Sequence, residues 1–372
     1  MSPPPLHRRI VAVPLLGGLL AVMCLASLAI GPVSIGVGEM IGHLLSGISS
    51  EEIAIDAEYS RASTIVRQLR SPRVLLAVLV GASLALSGAV MQGFFQNPMA
   101  DPYIVGVSSG AGLGASLAFA LALDFWIAGI HSASLFAFVG AVAVAFFVYT
   151  VSLRGGRVPA TLLLLTGVAV GSLAAAFTSL LMITEQESLH RIVFWLMGSL
   201  SSRRWDHVQM IWPFTVGGAV VLQIYARDLN VMLQGEESAR FLGVDVERAK
   251  ILFLVVTALL TAAAVSVSGI IGFVGLIVPH IMRLLVGPDH RRLFPACILG
   301  GAILVVGADM IARSLIPPAE VPVGVITAML GCPFFLYLVR GRRVVALCGV
   351  TTHVGPGAAR CAACCPGGQL WC

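Results

Sequence analysis

The chain has 372 residues, of which 58% are hydrophobic and 11% are charged, and its formal net charge at pH 7 is +5. Soluble domains carry about 25% charged residues, so this composition excludes a soluble globular protein. Charge-free stretches of about 20 residues, the length that crosses a hydrocarbon core of about 30 Å, recur along the chain. The composition therefore predicts an all-α polytopic membrane protein.

About ten apolar stretches predict membrane-spanning helices. The first follows Arg8 and Arg9, and its length favours an uncleaved span over a signal peptide. Between the fifth and sixth stretches, Trp195 and Trp205 suit the membrane boundary and favour a short interfacial helix. In chain order the stretches cover about residues 10–31, 73–95, 103–123, 126–151, 158–183, 207–226, 250–268, 271–286, 294–313 and 321–340.

Basic residues in the loops predict the orientation of the spans. With the N-terminus in the cytoplasm, fourteen arginine and lysine residues lie on the inner side and eight on the outer side. The positive-inside rule then places both termini in the cytoplasm.

A polar turn interrupts the apolar sequence after the second span. Asn97-Pro98 and Asp101-Pro102 end that helix, because proline has no backbone N–H and restricts the residue before it. Glycines then recur every four residues and predict a smooth helix face for close packing. We predict that this region packs closely against other helices, beside a path across the membrane. The residues of this prediction are Gln92, Asn97, Pro98, Asp101, Pro102, Gly106, Gly110 and Gly114.

A weak internal repeat is present. The segments SGAVMQGFFQNP (87–98) and SGIIGFVGLIVP (268–279) share Ser-Gly at the start and a proline at the same offset. They lie five predicted spans apart, so the two copies would run in opposite directions. Inverted repeats are typical of transporters. Chance matching of small residues is the alternative explanation for so short a motif.

The longest loop on the predicted inner side, residues 227–250, is charged but contains apolar residues. Leu233, Ala239 and Phe241 lie beside Gly235 and Gly243, which predicts two short helices separated by glycine turns. Such helices can dock into a groove on a soluble partner. The alternative is a solvated connector.

Several activities can be weighed against the residues present. A phosphate-binding loop needs Gly-Lys, but the only lysine, Lys250, follows Ala249, so this chain is predicted not to hydrolyse ATP. An ion-coupled secondary transporter would carry ionisable residues within its spans, where we find chiefly Asp309. Residues 106–110 match G-x-S-x-G formally, without the strand-turn-helix context of a hydrolase. The histidines are scattered, and we predict no metal site and no bound cofactor.

Several longer motifs carry a resemblance to a known family. RSPRVLLAVLVGASLALSGAVMQGFFQNPMADPYIVGVSSGAGLGA, QGEESARFLGVD, SGIIGFVGLIVPHIMRLLVGPDHRRL and AEVPVGVITAMLGCPFFLYLVR occur in that order. They resemble the permeases of bacterial ABC importers for iron–siderophores, haem and cobalamin. The resemblance implies a type II importer permease of ten helices in the inner membrane, paired with a second permease subunit as a homodimer or with a paralogous subunit. It also implies a periplasmic binding protein and two cytosolic ATPase subunits that use ATP and Mg²⁺. No nucleic acid partner is implied.

The resemblance assigns roles to individual residues. It places the permease domain at 1–343, with 227–250 as its cytoplasmic coupling loop, and the expected cargo is a ferric siderophore, with haem or cobalamin as the alternative. Residues 344–372 form an atypical Cys- and Gly-rich tail that we expect to be disordered. Arg70, Arg73 and Arg313 match arginines that dock the binding protein. The residues expected to couple to the ATPase are Gln234, Gly235, Glu236, Glu237, Ser238, Arg240 and Gly243.

Overall fold

The structure, a computed structural model, describes residues 6–29, 64–127, 129–316 and 319–350. A π-helical segment (Ile65–Arg70) leads into α2, and a 3-10 turn (Pro102–Val105) precedes α3. Strands β1 (Trp126–Ile127) and β2 (Ile130–His131) form a small antiparallel hairpin. The α-helices in the described part are α1 (Leu6–Ala29), α2 (Ser71–Phe94), α3 (Val107–Ala120), α4 (Ser132–Ser152), α5 (Ala160–Thr184), α6 (Gln186–Leu196), α7 (Trp205–Ile224), α8 (Ala226–Met232), α9 (Glu236–Phe241), α10 (Val246–Ser268), α11 (Val274–Val286), α12 (His290–Ser314) and α13 (Val323–Val350).

Seven helical spans of the described chain are long and apolar enough to cross a membrane: α1, α2 with its π-helical extension, α4, α5, α7, α10 and α12. Three shorter apolar helices, α3, α11 and the first part of α13, complete the set. Together they match the ten predicted spans in order, and the prediction of a polytopic helical protein is confirmed. The interfacial segment predicted between the fifth and sixth spans is helix α6.

Helix α2 lies at the centre of the bundle. Its side chains are buried along almost its whole length, whereas α1 and α5 expose most of theirs. Close backbone contacts hold α2 to its neighbours, at Gly81 against Gly301 of α12 and at Gly88 against Gly275 of α11. Small residues permit this approach, which supplies the packing that apolar side chains cannot supply in lipid.

Helix α11 begins with an unwound segment rather than as a continuous span. Gly269 ends α10 at φ +71°, and Phe273 has φ +69° just before α11 starts. The Ser268 carbonyl accepts a hydrogen bond from the Ser199 N–H at 2.7 Å, and the Tyr103 hydroxyl donates to the Ile271 carbonyl at 2.9 Å. Non-helical backbone is tolerated in a membrane protein where protein groups satisfy it, as they do here.

The structure differs from the predictions in four places. The third span is a 3-10 turn followed by a shorter helix, and the hairpin β1–β2 occupies the start of the predicted fourth span. The repeat segments 87–98 and 268–279 have different conformations, since the first is helical through Phe94 and the second is non-helical from 269 to 273. Helix α13 continues through residues 344–350 of the predicted tail, and residues 351–372 lie outside the described part.

Candidate functional site

The segment 234–244 forms a short helical hairpin between α8 and α10. Gly235 (φ +112°) and Gly243 (φ +83°) bound α9, and both occupy backbone conformations that other residues rarely adopt. Within α9 only Ala239 is fully buried. Phe241 is 91% exposed and Leu242 is 65% exposed, so the hairpin presents an apolar pair outwards. All the predicted coupling residues lie on this one hairpin: Gln234, Gly235, Glu236, Glu237, Ser238, Arg240 and Gly243.

Charged side chains join α9 to the start of α10. Lys250 Nζ lies 2.7 Å from Glu236 Oε1 and 3.9 Å from Glu247 Oε1. Arg240 Nη2 lies 3.3 Å from the same Glu247 oxygen. Glu247 and Lys250 are both on α10, so the ion pairs tie the exposed hairpin to a helix that enters the centre of the bundle.

A second polar cluster lies where α2, α12 and the segment before α13 meet. Arg73 donates to Asp309 through Nε at 3.0 Å and Nη2 at 2.8 Å, and to Glu320 through Nη1 at 2.9 Å. Asp309 is 1% exposed. Burial raises the pKa of Glu320, but the hydrogen bond and charge of Arg73 outweigh it and hold that pKa below its usual value.

The three arginines expected to dock a binding protein are engaged inside the chain. Arg70 donates to the carbonyls of Leu28 and Ala29 at 2.7 and 3.2 Å, and Arg313 donates to the Ser27 carbonyl at 2.6 Å. Both side chains are buried, and Arg73 is 12% exposed. Carbonyls of α1 and the carboxylates of Asp309 and Glu320 therefore hold these side chains inwards, and docking of a binding protein by them stays a prediction.

The turn after α2 has the local structure that its prolines impose. The Asn97 side chain accepts from the Met99 N–H at 3.0 Å, and the Asp101 side chain accepts from the Tyr103 N–H at 2.9 Å. Asp101 thereby caps the 3-10 turn that begins at Pro102. Burial raises the Asp101 pKa to about 6, although the Tyr103 N–H opposes the rise.

The glycines after this turn lie where α3 crosses α4. A Cβ atom at Gly110 would overlap the Gly140 carbonyl and Val144, and one at Gly114 would overlap the Phe136 carbonyl. Gly106 (φ +80°) precedes the helix and faces Val144. The spacing of four places Gly110 and Gly114 on the same face of α3.

Gln92 connects α2 to the unwound start of α11. Its Nε2 donates to the carbonyls of Gly275 and Leu276 at 3.2 and 3.1 Å. Both carbonyls belong to the first turn of α11. Gln92 thus links the turn region, the central helix and the broken helix.

The sequence analysis did not predict that Lys250, Asp309 and Glu320 belong to polar clusters. Lys250 is the only lysine of the chain, and Asp309 is an isolated acid in an apolar stretch, so both carried a signal. Glu320 lies in a short polar break between two apolar stretches and carries no such signal. In the part of the chain that the structure describes, an exposed hairpin and buried polar links between the central helices are thus the main polar features of a helical membrane bundle.

Comparisons with known proteins give the family. The FecCD transport family matches residues 19–341. The chain is 52% identical over 286 residues to the cobalamin import system permease protein BtuC of Halobacterium salinarum, covering 77% of this chain and 76% of that one. It is 42% identical to the hemin transport system permease protein HmuU of Yersinia pestis, covering 74% and 83%.

A solved structure agrees with these relatives. An ABC transporter assigned to the metal-chelate type, in an inward-facing conformation, has a TM-score of 0.76 and 32% identity, covering 88% of this chain and 98% of that one. The chain belongs to the FecCD transport family and is a permease subunit of an ABC importer. It is a multi-pass membrane protein whose type II permease fold was predicted from its motifs.

Proposed function

We propose that the chain is the permease of an ATP-driven importer that carries a metal chelate across the bacterial inner membrane, with both termini in the cytoplasm. The observation that carries the proposal is the exposed pair Phe241 and Leu242 on a hairpin framed by charges. Burying such side chains contributes about 1.5–3 kcal/mol each, enough to anchor the hairpin in a cleft of a soluble ATPase subunit. ATP and Mg²⁺ are used by that partner, and this chain contributes the passage.

Movement of the docked hairpin would reach the pathway through rigid helices. Helix α10 starts three residues after Gly243 and continues to Ser268. Its Thr257 carbonyl accepts from Ser87 of α2 at 3.5 Å, and α2 in turn holds α11 through Gln92. A displacement of residues 234–244 is therefore delivered to the central helix and to the unwound segment beside it.

The outer face is the proposed docking site of a periplasmic binding protein. A cavity of about 330 Å³ is lined there by Arg70, Arg73, Arg203, Arg313 and Glu320, among others. Burial lowers the Arg203 pKa to about 10, which still leaves this side chain charged at neutral pH. An acidic side chain of the binding protein would enter this cavity and share arginines that are already paired, rather than meet free charges at the surface.

The names of the relatives reduce the number of candidate cargoes, whereas the side chains inside the bundle do not distinguish between them. Relatives at 52%, 42% and 40% identity are named for cobalamin, hemin and Fe(3+)-citrate import. We propose that the cargo is a metal chelate, and its assignment as a ferric siderophore stays a prediction. Cobalamin is the first cargo to test, because the relative named for it has the highest of these identities.

Reconstitution tests the proposal. The chain, as a homodimer with its ATPase subunits, is placed in liposomes and supplied with its binding protein and one of cyanocobalamin, hemin, ferric citrate or a ferric hydroxamate. We expect accumulation of one probe that needs ATP and the ATPase subunits. Accumulation driven by a proton or sodium gradient without those subunits would overturn the proposal in favour of a secondary transporter.

A further inference from the structure

Helix α9 has too little packing to fix its own direction. It is six residues long, a single side chain of it is fully buried, and glycines with positive φ bound it on both sides. Phe241, its last residue, is 91% exposed, and Leu242 after it is 65% exposed, so this pair contributes little internal packing. Polar contacts therefore contribute much of the attachment of this hairpin to α10.

The ion pairs supply two points of attachment along the axis of α9. Glu236, the first residue of the helix, is held by Lys250, and Arg240, near its end, is held by Glu247. The two attachment residues are separated by about 6 Å along a helix that rises about 1.5 Å per residue. One attachment would leave a short rod free to pivot, whereas two fix its direction.

The two attachments differ in which partner is shielded from solvent. The side chains of Lys250 and Glu236 are 9% and 50% exposed, and those of Arg240 and Glu247 are 45% and 24% exposed. Salt screens an exposed charge more than a shielded one, so Lys250 is the better shielded of the two cations. Lys250 also faces Glu247, so the single ammonium group contacts both acids of the network.

We infer that Lys250 is the positioning residue that makes the coupling hairpin and α10 move as one body. The inference rests on the proposed docking of residues 234–244 to an ATPase subunit. Lys250 acts through Glu236, by transmitting the force on α9 to a helix that runs into the centre of the bundle.

The test uses the assembled permease–ATPase complex with its binding protein in lipid nanodiscs, and compares Lys250→Met, Lys250→Arg and the control Arg248→Met. Arg248 is a neighbour on α10 whose side chain is 88% exposed and pairs with Asp245. In Lys250→Met, we expect the ATPase subunits still to bind, and stimulation of ATP hydrolysis by the binding protein to fall about five-fold, which corresponds to about 1 kcal/mol. Lys250→Arg should restore the stimulation, and Arg248→Met should match the native complex.

A charge exchange covers the case in which Lys250→Met does not fold. Lys250→Glu combined with Glu236→Lys restores an opposite pair, and we expect it to recover stimulation that Lys250→Glu alone lacks. Equal stimulation in native and Lys250→Met complexes would overturn the inference. Failure of the native chain to bind any ATPase subunit would instead overturn the proposed function, so the two failures are distinguishable.

Because Lys250 is the only lysine, its amine can be probed without the ATPase. In the purified full chain, acetic anhydride labelling of Lys250 is followed by peptide mass spectrometry in native, Glu236→Gln and Glu237→Gln proteins. Glu237 has no ion pair among the residues that the structure describes, which makes it the matched control. We expect faster labelling in Glu236→Gln alone. Equal rates in all three proteins would show that the Glu236 pair does not hold Lys250.

Discussion

Removing the carboxylate of Asp309 should strongly destabilise the protein. Asp309 is 1% exposed and receives hydrogen bonds from Arg73 at 3.0, 3.1 and 2.8 Å, and Arg313 Nε lies 3.7 Å away. An exposed pair would contribute about 0–1 kcal/mol, but breaking a buried pair by removing one partner costs about 3–5 kcal/mol. The Arg73–Asp309 pair is buried, so the larger cost applies. Asp309→Asn would leave the guanidinium groups of Arg73 and Arg313 with Glu320 as their remaining carboxylate.

A double-mutant cycle in mixed detergent micelles measures the effect as the free energy of unfolding. We expect a loss of about 3–5 kcal/mol for Asp309→Asn and a smaller loss for Arg73→Met combined with Asp309→Asn, because the double variant leaves fewer buried charges unpaired. A double variant that loses the sum of both single losses would refute the assignment of this pair as a coupled unit. So would a loss below about 1 kcal/mol in Asp309→Asn, the range of surface pairs.

Two further predictions concern the turn and the helix crossing after it. Gly114→Leu should destabilise the protein by about 1–3 kcal/mol or more, because the new side chain would overlap the Phe136 carbonyl. Gly217→Leu is the control and should not destabilise the protein, because the space around Gly217 is open. Thermal unfolding of the two variants measures the difference. The Asp101 pKa is raised by burial from 3.8 to about 6, so its contribution to stability is present below about pH 4 and is lost as the pH rises through 6, by about 3 kcal/mol in all. Asp101→Asn should flatten this part of the stability–pH curve, and an unchanged slope between pH 4 and 6 would contradict the assignment.

The helices of this protein could be predicted because membrane length and composition constrain them strongly. The apolar stretch at 158–183, for example, becomes α5 with bounds that differ by one or two residues. Asn97-Pro98 and Asp101-Pro102 likewise end and cap helices through local backbone chemistry. Both kinds of signal act within a few residues, where the sequence is informative.

The features that the sequence did not predict share a physical cause, because each depends on contacts between residues that are far apart in the chain. Arg73 and Asp309 are 236 positions apart, so nothing near Arg73 indicates that its charge is neutralised inside the bundle. The unwound start of α11 lies in an apolar stretch that reads as a continuous helix, and it is stabilised by bonds from Ser199 and Tyr103. The pair of Lys250 with Glu236 was not predicted either, because a glycine turn separates the two residues along the chain.

The most direct test of coupling through the hairpin is the affinity of the ATPase subunits for the permease in nanodiscs, measured for native, Phe241→Asp and Trp126→Asp proteins. Trp126 is a 54% exposed aromatic residue on the hairpin β1–β2 and serves as the control. We expect Phe241→Asp to weaken binding about 100-fold, since a buried aromatic anchor contributes up to about 3 kcal/mol, and to abolish ATP-driven uptake. Native affinity and native uptake in Phe241→Asp would contradict the account.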